Sequence, residues 1–287
     1  MSAWTAARRR LTAAGVDSPV IDARLLVEAA AGASRADLIA EPQRPLTVSQ
    51  AAGLEAMVTR REHREPVSHI LGRKAFWKIM LAVTPAVLTP RPETESILDL
   101  VMARFDERRS FSVLDLGVGS GALLLAILAE RPLATGVGVD ISTEALAVAS
   151  QNAADLGLAD RATLVLGDWT MGLERGSFDL VVCNPPYIPS GDIAGLEPEV
   201  RDHEPRAALD GGADGLVAYR RLAGEILRAL RPGGVFAVEI GPGQETPVRE
   251  LFEGAGAVEL AVSQDLAGRD RVVWGAKKTL GDRETNR

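Results

Sequence analysis

The sequence predicts an α/β protein built on a doubly wound, mainly parallel sheet, with a small helical N-terminal domain and a β-hairpin linker in front of it. Two observations predict this fold. After Phe111, short apolar runs of strand length alternate with segments of helical periodicity, as expected for parallel strands joined by helices. Before about residue 70, alanine and leucine are dense and β-branched residues do not cluster. With 287 residues, the chain is long enough for one large domain or two smaller ones.

Residues 1–71 are expected to form the helical domain, which we predict recognises a substrate. Apolar residues recur at near-helical spacing in 18–31, and Gly32 is expected to end that helix. Thr47 and Ser49 can cap a further helix, which is expected to continue through Val58. Residues 72–90 are the expected hairpin linker, in which Pro85 and Pro90 exclude a helix.

Residues 91–278 are expected to form the sheet domain, followed by a flexible polar tail at 279–287. Pro92 with the acidic residues after it predicts a helix through Met102. A further helix is expected at 123–129, and another that Ser142 caps and Gly157 ends. The expected strands are 113–116, 135–139, 163–166, 180–183 and 235–240, with a terminal pair at 258–262 and 271–274.

A glycine-rich loop joins the first of these strands to the helix at 123–129. Its candidate cofactor-binding residues are Gly117, Val118, Gly119, Ser120 and Gly121. Glycines there allow a tight turn and a close approach of the backbone to a ligand, and the helix N-terminus offers free N–H groups. The loop also fits the loose dinucleotide-binding pattern, and it could be a turn without a ligand.

Asp140 ends the next strand, where its carboxylate could accept hydrogen bonds from both hydroxyls of a ribose. The alternative is an acidic residue that stabilises the helix N-terminus at Ser142. Asp168 and Trp169 follow the third strand at the same expected edge, where they could bind and stack on an adenine ring. Trp169 could equally belong to the core.

Asn184, Pro185, Pro186 and Tyr187 follow the strand 178–183 and are the candidate catalytic residues. The two prolines stiffen the loop and remove two N–H donors, so that backbone carbonyls and the Asn184 side chain remain as acceptors. Two fixed acceptors would hold both protons of a planar NH₂ group and point its lone pair at a donor methyl, and Tyr187 could stack on the flat group. Asn184 would also adjoin the cofactor. Together with the glycine loop, this element predicts an S-adenosylmethionine-dependent N-methyltransferase of the Rossmann-like class I fold.

Composition narrows the function further. A net charge of −7 does not favour a broad phosphate-binding surface, and we interpret the basic residues between Arg60 and Lys78 as a solvated face. One cysteine and three histidines provide neither a disulfide nor a zinc-ligand spacing, so no metal is expected. We find no signal peptide, no apolar run of about 18 residues and no phosphate-binding Gly-Lys-Ser/Thr motif. We therefore expect a cytoplasmic protein.

The sequence resembles the HemK/PrmC-type peptide chain release factor N5-glutamine methyltransferases from about Arg60 to Trp274, and more weakly before that. Besides the glycine loop, the matching segments are 64–67, 70–72, 87–95, 139–142, 167–169, 184–188, 204–206, 211–212, 214–216, 232–234, 239–241 and 265–271. Val118 stands where the family usually has Thr, and Thr89 where it usually has Ile.

The resemblance implies methyl transfer from S-adenosylmethionine to the side-chain amide nitrogen of the glutamine in the Gly-Gly-Gln loop of class I release factors. On this hypothesis the partner is a protein, with no direct nucleic-acid or membrane contact, and the enzyme is expected to be a monomer. Two alternatives remain open. An N6-adenine DNA or RNA methyltransferase can use the same Asn-Pro-Pro-Tyr element, although the acidic composition and the lack of a large insert argue against it. A catalytically silent cofactor-binding scaffold is the other.

Overall fold

The structure is a computed structural model that describes residues 2–279 of the chain. The predicted flexible tail, apart from Thr279, lies outside these residues. The chain forms two compact units. The first contains the described residues up to Arg73 together with Leu196–His203, and the second contains Lys74–Gly195 and the residues from Glu204 onward.

The first unit is helical. Its helices are α1 (Ala3–Ala13), α2 (Pro19–Ala31), α3 (Arg35–Ala40), α4 (Val48–Glu62), α5 (Val67–Leu71) and, from the second segment, α9 (Pro198–Arg201). Gly32 ends α2 in the left-handed conformation, and Thr47 caps α4 in a reciprocal capping box with Gln50, as the sequence predicts. Leu11 and Leu26 are fully buried in the small apolar core of this unit.

The interpretation of the basic segment as a solvated face is wrong for Arg61. Its side chain is only 6 % exposed, and it donates to Asp22 and pairs with Glu199, both at 2.7 Å. Arg64 binds both carboxylate oxygens of the same Glu199, at 2.7 and 2.6 Å. Short-range charge patterning cannot reveal these pairs, because the acidic partners are distant in sequence. The segment Leu196–His203 thus packs with the helical unit, although the predicted bounds assign it to the sheet domain.

The predicted hairpin consists of β1 (Arg73–Phe76) and β2 (Ile79–Ala82), and all of it except Arg73 belongs to the second unit. Phe76 and Leu81 are buried in the main core of this unit, so the hairpin packs as part of it. Asn152 of the helix α8 (Thr143–Asp155) fastens the hairpin. Its amide accepts from the Ala82 N–H at 2.7 Å and donates to the Ala82 carbonyl at 3.0 Å.

The predicted α/β class, with a mainly parallel sheet, is confirmed. The strands are β3 (Ser112–Leu116), β4 (Thr135–Asp140), β5 (Ala162–Leu166), β6 (Phe178–Cys183), β7 (Leu230–Glu239), β8 (Ala257–Gln264) and β9 (Asp270–Lys277). They form a sheet in the order β5-β4-β3-β6-β7-β9-β8. The strands β3 to β7 pair with one another in parallel, and β9 is antiparallel to both β7 and β8.

Helices cover both faces of this sheet. Alternate residues of β3 and β6 face opposite sides, so Val113 and Leu180 lie in one apolar cluster and Leu114 and Val181 lie in the other. The first cluster receives α6 (Glu95–Arg104), α7 (Ala122–Glu130) and α8; the second receives α10 (Val217–Ala229) and α11 (Glu245–Gly254). The helices α10 and α11 are not among the elements that the sequence predicts. Among residues 2–279, no helix has the length and apolar content needed to cross a bilayer.

Candidate active site

The predicted site residues come from loops at one edge of the sheet. Leu116 of β3 is paired with β4 and with β6 close to their carboxyl ends. The residues that follow these strands therefore emerge side by side, and they include Gly117, Asp140 and Asn184. In open α/β sheets this edge is where ligands bind.

A cavity of about 450 Å³ lies at this edge, within the usual range for small-molecule sites. Its lining includes most of the predicted site residues: Gly117, Val118, Gly119, Ser120, Asp140, Trp169, Asn184 and Pro186. Gly121, Pro185 and Tyr187 are not part of that lining. Gly121 is instead the N-cap residue before α7, and Pro185 is buried.

The glycine loop has left-handed backbone conformations at Gly117, Gly119 and Gly121, with φ of 75°, 54° and 85°. Side chains with a Cβ rarely adopt these angles, which explains the residue choice. The Gly119 N–H donates to Asp140 Oδ2 at 2.9 Å, which joins the loop to the end of β4. Val118 is 4 % exposed and packs in the core beside Leu124, so this departure from the family pattern adds apolar contact.

Asp140 lies both at the cavity and at the start of α8, so its position is compatible with either sequence interpretation. It lines the cavity, and its Oδ1 accepts from the Ser142 N–H at 3.0 Å, at the start of α8. Each carboxylate oxygen keeps a further acceptor position, because an ionised carboxylate offers about four in all.

Asp115 is a cavity residue to which sequence reasoning assigned no role. It is 2 % exposed and accepts a hydrogen bond from the Leu124 N–H at 3.1 Å. Burial raises the pKa of this carboxyl to about 7. The available signal was an acidic residue inside an otherwise apolar strand, directly before the glycine loop.

Trp169 has a left-handed backbone with φ of 55°, and its ring lies 3.8 Å from the position that a Cβ on Gly117 would occupy. The ring therefore faces the glycine loop, and it also packs against the core. Asp168, the predicted adenine acceptor, already accepts from Arg221 of α10 at 2.8 Å. Glu225 of the same helix accepts from the N–H and the hydroxyl of Thr170, so α10 fixes the whole loop.

The Asn-Pro-Pro-Tyr loop is held by a hydrogen-bond network around Glu239. Asn184 Nδ2 donates to Thr94 Oγ1 at 3.3 Å, and the Thr94 hydroxyl donates to Glu239 at 2.6 Å. The Tyr187 hydroxyl donates to the other Glu239 oxygen at 3.2 Å. Burial raises the pKa of Glu239 to about 7, and it also raises the pKa of Tyr187. Sequence reasoning gave no role to Thr94 or Glu239, although both lie in segments that match the family.

A second loop packs against the outer side of the Asn-Pro-Pro-Tyr loop. Gly215, with φ of 74°, approaches so closely that a Cβ there would lie 2.4 Å from the Tyr187 carbonyl oxygen. The Gln244 amide donates to that carbonyl at 3.0 Å and to the Gly215 carbonyl at 3.3 Å. These contacts fix the backbone of the loop before any ligand binds.

Arg91 is the one basic side chain in the cavity lining of the described chain. It donates to Glu204 at 2.5 Å, and Glu204 also accepts from the Thr89 N–H at 3.3 Å. Burial raises the pKa of Glu204. Cys183 precedes Asn184 but is fully buried, and burial raises its pKa well above the ordinary value, so it is not a nucleophile. Residues 2–279 hold no cluster of three or more histidine, cysteine or acidic side chains suited to a metal ion.

Two family models match this sequence: a PrmC N-terminal domain at residues 2–72 and a methyltransferase domain at residues 107–253. Among solved structures, the chain is similar to the hMettl16 catalytic domain, solved in complex with a MAT2A 3′UTR hairpin, with a TM-score of 0.58, 16 % identity, and coverage of 71 % of this chain and 77 % of that one. A methyltransferase from Pyrococcus furiosus has a TM-score of 0.50 at 16 % identity and coverage of 78 % and 98 %. At these identities the likeness shows the fold alone.

Curated relatives match over nearly the whole chain. The release factor glutamine methyltransferase of Caulobacter vibrioides is 60 % identical over 280 residues, which are 98 % of this chain and 97 % of that protein. The protein of the same name from Rhodospirillum rubrum is 47 % identical over 95 % of this chain and 83 % of its own length. The chain therefore belongs to the release factor glutamine methyltransferase family.

Proposed function

We propose that this protein transfers a methyl group from S-adenosylmethionine to the side-chain amide nitrogen of the glutamine in the Gly-Gly-Gln loop of class I peptide chain release factors. One observation carries the proposal. The Asn184 amide nitrogen is bound to Thr94, so its carbonyl oxygen remains as an acceptor, in the same cavity as the glycine loop. The curated relatives, which carry the name of this activity, support the same conclusion.

The cavity residues fit S-adenosylmethionine. Asp140 has acceptor positions for ribose hydroxyls, and the Trp169 ring offers an apolar face for a base. Asp115 and Arg91 are of suitable charge for the amino and carboxylate groups of the methionine part. The left-handed glycines keep side chains out of the space beside the loop.

When bound, the cofactor supplies a methyl carbon that its sulfonium has already activated. The task left to the protein is to present the nitrogen in line and to exclude water. We assign that task to the Asn184 side-chain oxygen and the Pro185 carbonyl, which would accept the two protons of the glutamine NH₂ group. Pro186 would form the wall of the cavity. Tyr187 would hold the loop through Glu239, and its ring would contact the flat amide.

We further propose that the helical unit, residues 1–71 in the predicted bounds, recognises the body of the release factor. Residues 72–90 and 91–278 would then be the linker and the methyltransferase domain. A short peptide with the Gly-Gly-Gln sequence should have a kcat/KM at least about tenfold below that of the intact release factor, because it lacks those contacts. Equal values would contradict this assignment. The monomeric state, the absence of nucleic-acid contact and the cytoplasmic location stay predictions from the sequence.

The test is to incubate the enzyme with isotope-labelled S-adenosylmethionine and a purified class I release factor, followed by peptide mass spectrometry. We expect one methyl group on the glutamine of the Gly-Gly-Gln loop, and none on a release factor in which that glutamine is alanine. Methylation of adenine in DNA or RNA, with the release factor unmodified, would support the rival activity. Cofactor binding without any transfer would support the silent scaffold.

A further inference from the structure

Glu239 is a buried carboxylate at the end of β7, and the chemistry proposed above does not use it directly. It is 1 % exposed; it contacts the Asn-Pro-Pro-Tyr loop directly at Tyr187 and reaches Asn184 only through Thr94. One of its oxygens accepts from Thr94 and the other accepts from Tyr187. Burying an acidic group costs free energy unless hydrogen bonds or an opposite charge compensate for the lost hydration.

The carboxylate sets the direction of the hydrogen bonds that lead to Asn184. An ionised carboxylate only accepts, so the Thr94 hydroxyl proton must point to Glu239. The Thr94 oxygen is then an acceptor for Asn184, which can supply only its NH₂ group. The Asn184 carbonyl oxygen must therefore point away from Thr94.

We propose that Glu239 and Thr94 are positioning residues that fix the orientation of the Asn184 amide, and thereby make Asn184 an acceptor for the substrate nitrogen. This inference rests on the proposed function. With the amide reversed, Asn184 would present N–H groups to the N–H groups of the glutamine, and two donors cannot bind each other. Glu239 would thus favour the Asn184 orientation that can bind the substrate nitrogen over the reversed orientation, which is compatible with the same fold but cannot bind it.

Protonation of Glu239 would remove this control, because a neutral carboxyl can donate as well as accept. Burial raises its pKa to about 7, against the opposing hydrogen bonds from Thr94 and Tyr187 and the positive charge of Arg271. The other groups near it are Glu93, which favours the neutral form, the buried Cys183 thiol, and Tyr219, which donates to the Glu239 main-chain carbonyl at 2.7 Å. We therefore expect methyl transfer to rise with pH through about 7, as Glu239 becomes ionised.

The first experiment compares wild type, Thr94→Val and Thr94→Ser in release factor methylation, with Thr135→Val as the matched control. Thr135 is exposed, and its side chain is not part of the cavity lining. Thr94→Val keeps the shape and removes the hydroxyl, so kcat/KM should fall about tenfold or more while calorimetric affinity for S-adenosylmethionine stays within about twofold. Thr94→Ser restores the hydroxyl and should recover most of the loss. Equal kcat/KM in wild type and Thr94→Val, or no recovery in Thr94→Ser, would overturn the inference.

The second experiment measures kcat/KM against pH at fixed ionic strength in wild type, Glu239→Gln and Thr94→Val. The rise near pH 7 should be lost or much reduced in both variants. The Asp115 carboxyl also lines the cavity, and its pKa is raised to about 7. If kcat/KM still rises near pH 7 in both variants, we assign the rise to Asp115, and the role of Glu239 is refuted. If wild type itself does not methylate the release factor, the proposed function fails, and the inference fails with it.

Discussion

Asn152 offers a quantitative test of how the hairpin and the glycine loop are held to the sheet domain. It is 1 % exposed on α8 and makes three hydrogen bonds to main-chain groups. It accepts from the Ala82 N–H at 2.7 Å and donates to the Ala82 carbonyl at 3.0 Å. It also donates to the Ser120 carbonyl, in the glycine loop, at 2.8 Å. The Asn152→Ala substitution removes all three.

The expected loss of stability follows from these contacts. Three hydrogen bonds at about 1 kcal/mol each amount to about 3 kcal/mol. Alanine has a higher helix propensity than asparagine, and this difference raises the free energy of unfolding by roughly 0.5 kcal/mol. We therefore expect the free energy of unfolding to fall by about 2.5 kcal/mol, which corresponds to about 5–10 °C in Tm for a domain of this size. Because Ser120 belongs to the cofactor loop, affinity for S-adenosylmethionine should fall as well.

The assay is urea denaturation followed by circular dichroism, with hydrogen exchange of the peptide that contains Ala82 as a local readout. Gln151→Ala is the matched control, since Gln151 is exposed on the same helix and makes one surface hydrogen bond, to Asp155. The control should stay within about 0.5 kcal/mol of wild type. If Asn152→Ala has the same urea midpoint as the control and Ala82 exchanges no faster, the reasoning from these contacts is wrong.

Four further predictions concern single side chains. Asp140→Ala should weaken S-adenosylmethionine binding by about 1–3 kcal/mol, and unchanged calorimetric affinity would exclude it as a ribose ligand. Asn184→Ala should lose most of kcat/KM at unchanged Tm; wild-type turnover would remove it from the mechanism. Arg61→Met leaves the buried Asp22 carboxylate unpaired, while Glu199 keeps Arg64, and should cost about 3–5 kcal/mol in urea denaturation; a cost below about 1 kcal/mol would show that the ion pair contributes little. Asp115 has its folded-state pKa raised to about 7, above an unfolded value near 4, so the folded state binds its proton more tightly and stability falls as pH rises from about 4 to 7. Asp115→Asn should therefore stabilise the protein more at pH 8 than at pH 5, and an equal effect at both values would refute the shift.

The sheet and its loops could be predicted because their signals are local. Each parallel strand is a short apolar run, and the residues that follow it carry the site: the glycine loop after β3, Asp140 at the end of β4, and Asn184 after β6. The rule that parallel strands present their carboxyl ends to one ligand-binding edge then brings these residues together without any distance information.

The rest could not be predicted because its partners are far apart in the chain. Thr94 and Glu239 are separated by 145 residues, and no spacing rule relates them. Arg61 stands in a run of charged residues that is typical of a solvated helix face, and only the fold brings Asp22 and Glu199 to it. Asp168 lines the cavity, as its position after β5 suggests, but its ion pair with Arg221 of a distant helix could not be read from the sequence.

The return of Leu196–His203 to the helical unit has a consequence for biosynthesis. During synthesis, the first 73 residues are made about 120 residues before Glu199. Arg61 and Arg64 therefore have no Glu199 carboxylate to bind until that later segment has been made. The N-terminal unit therefore cannot complete its structure as an independent early product, even though α1 to α5 lie in one continuous segment. For the same reason, a chimaera that exchanges this unit between relatives should carry residues 196–203 along with it, or the two arginines will meet a foreign partner.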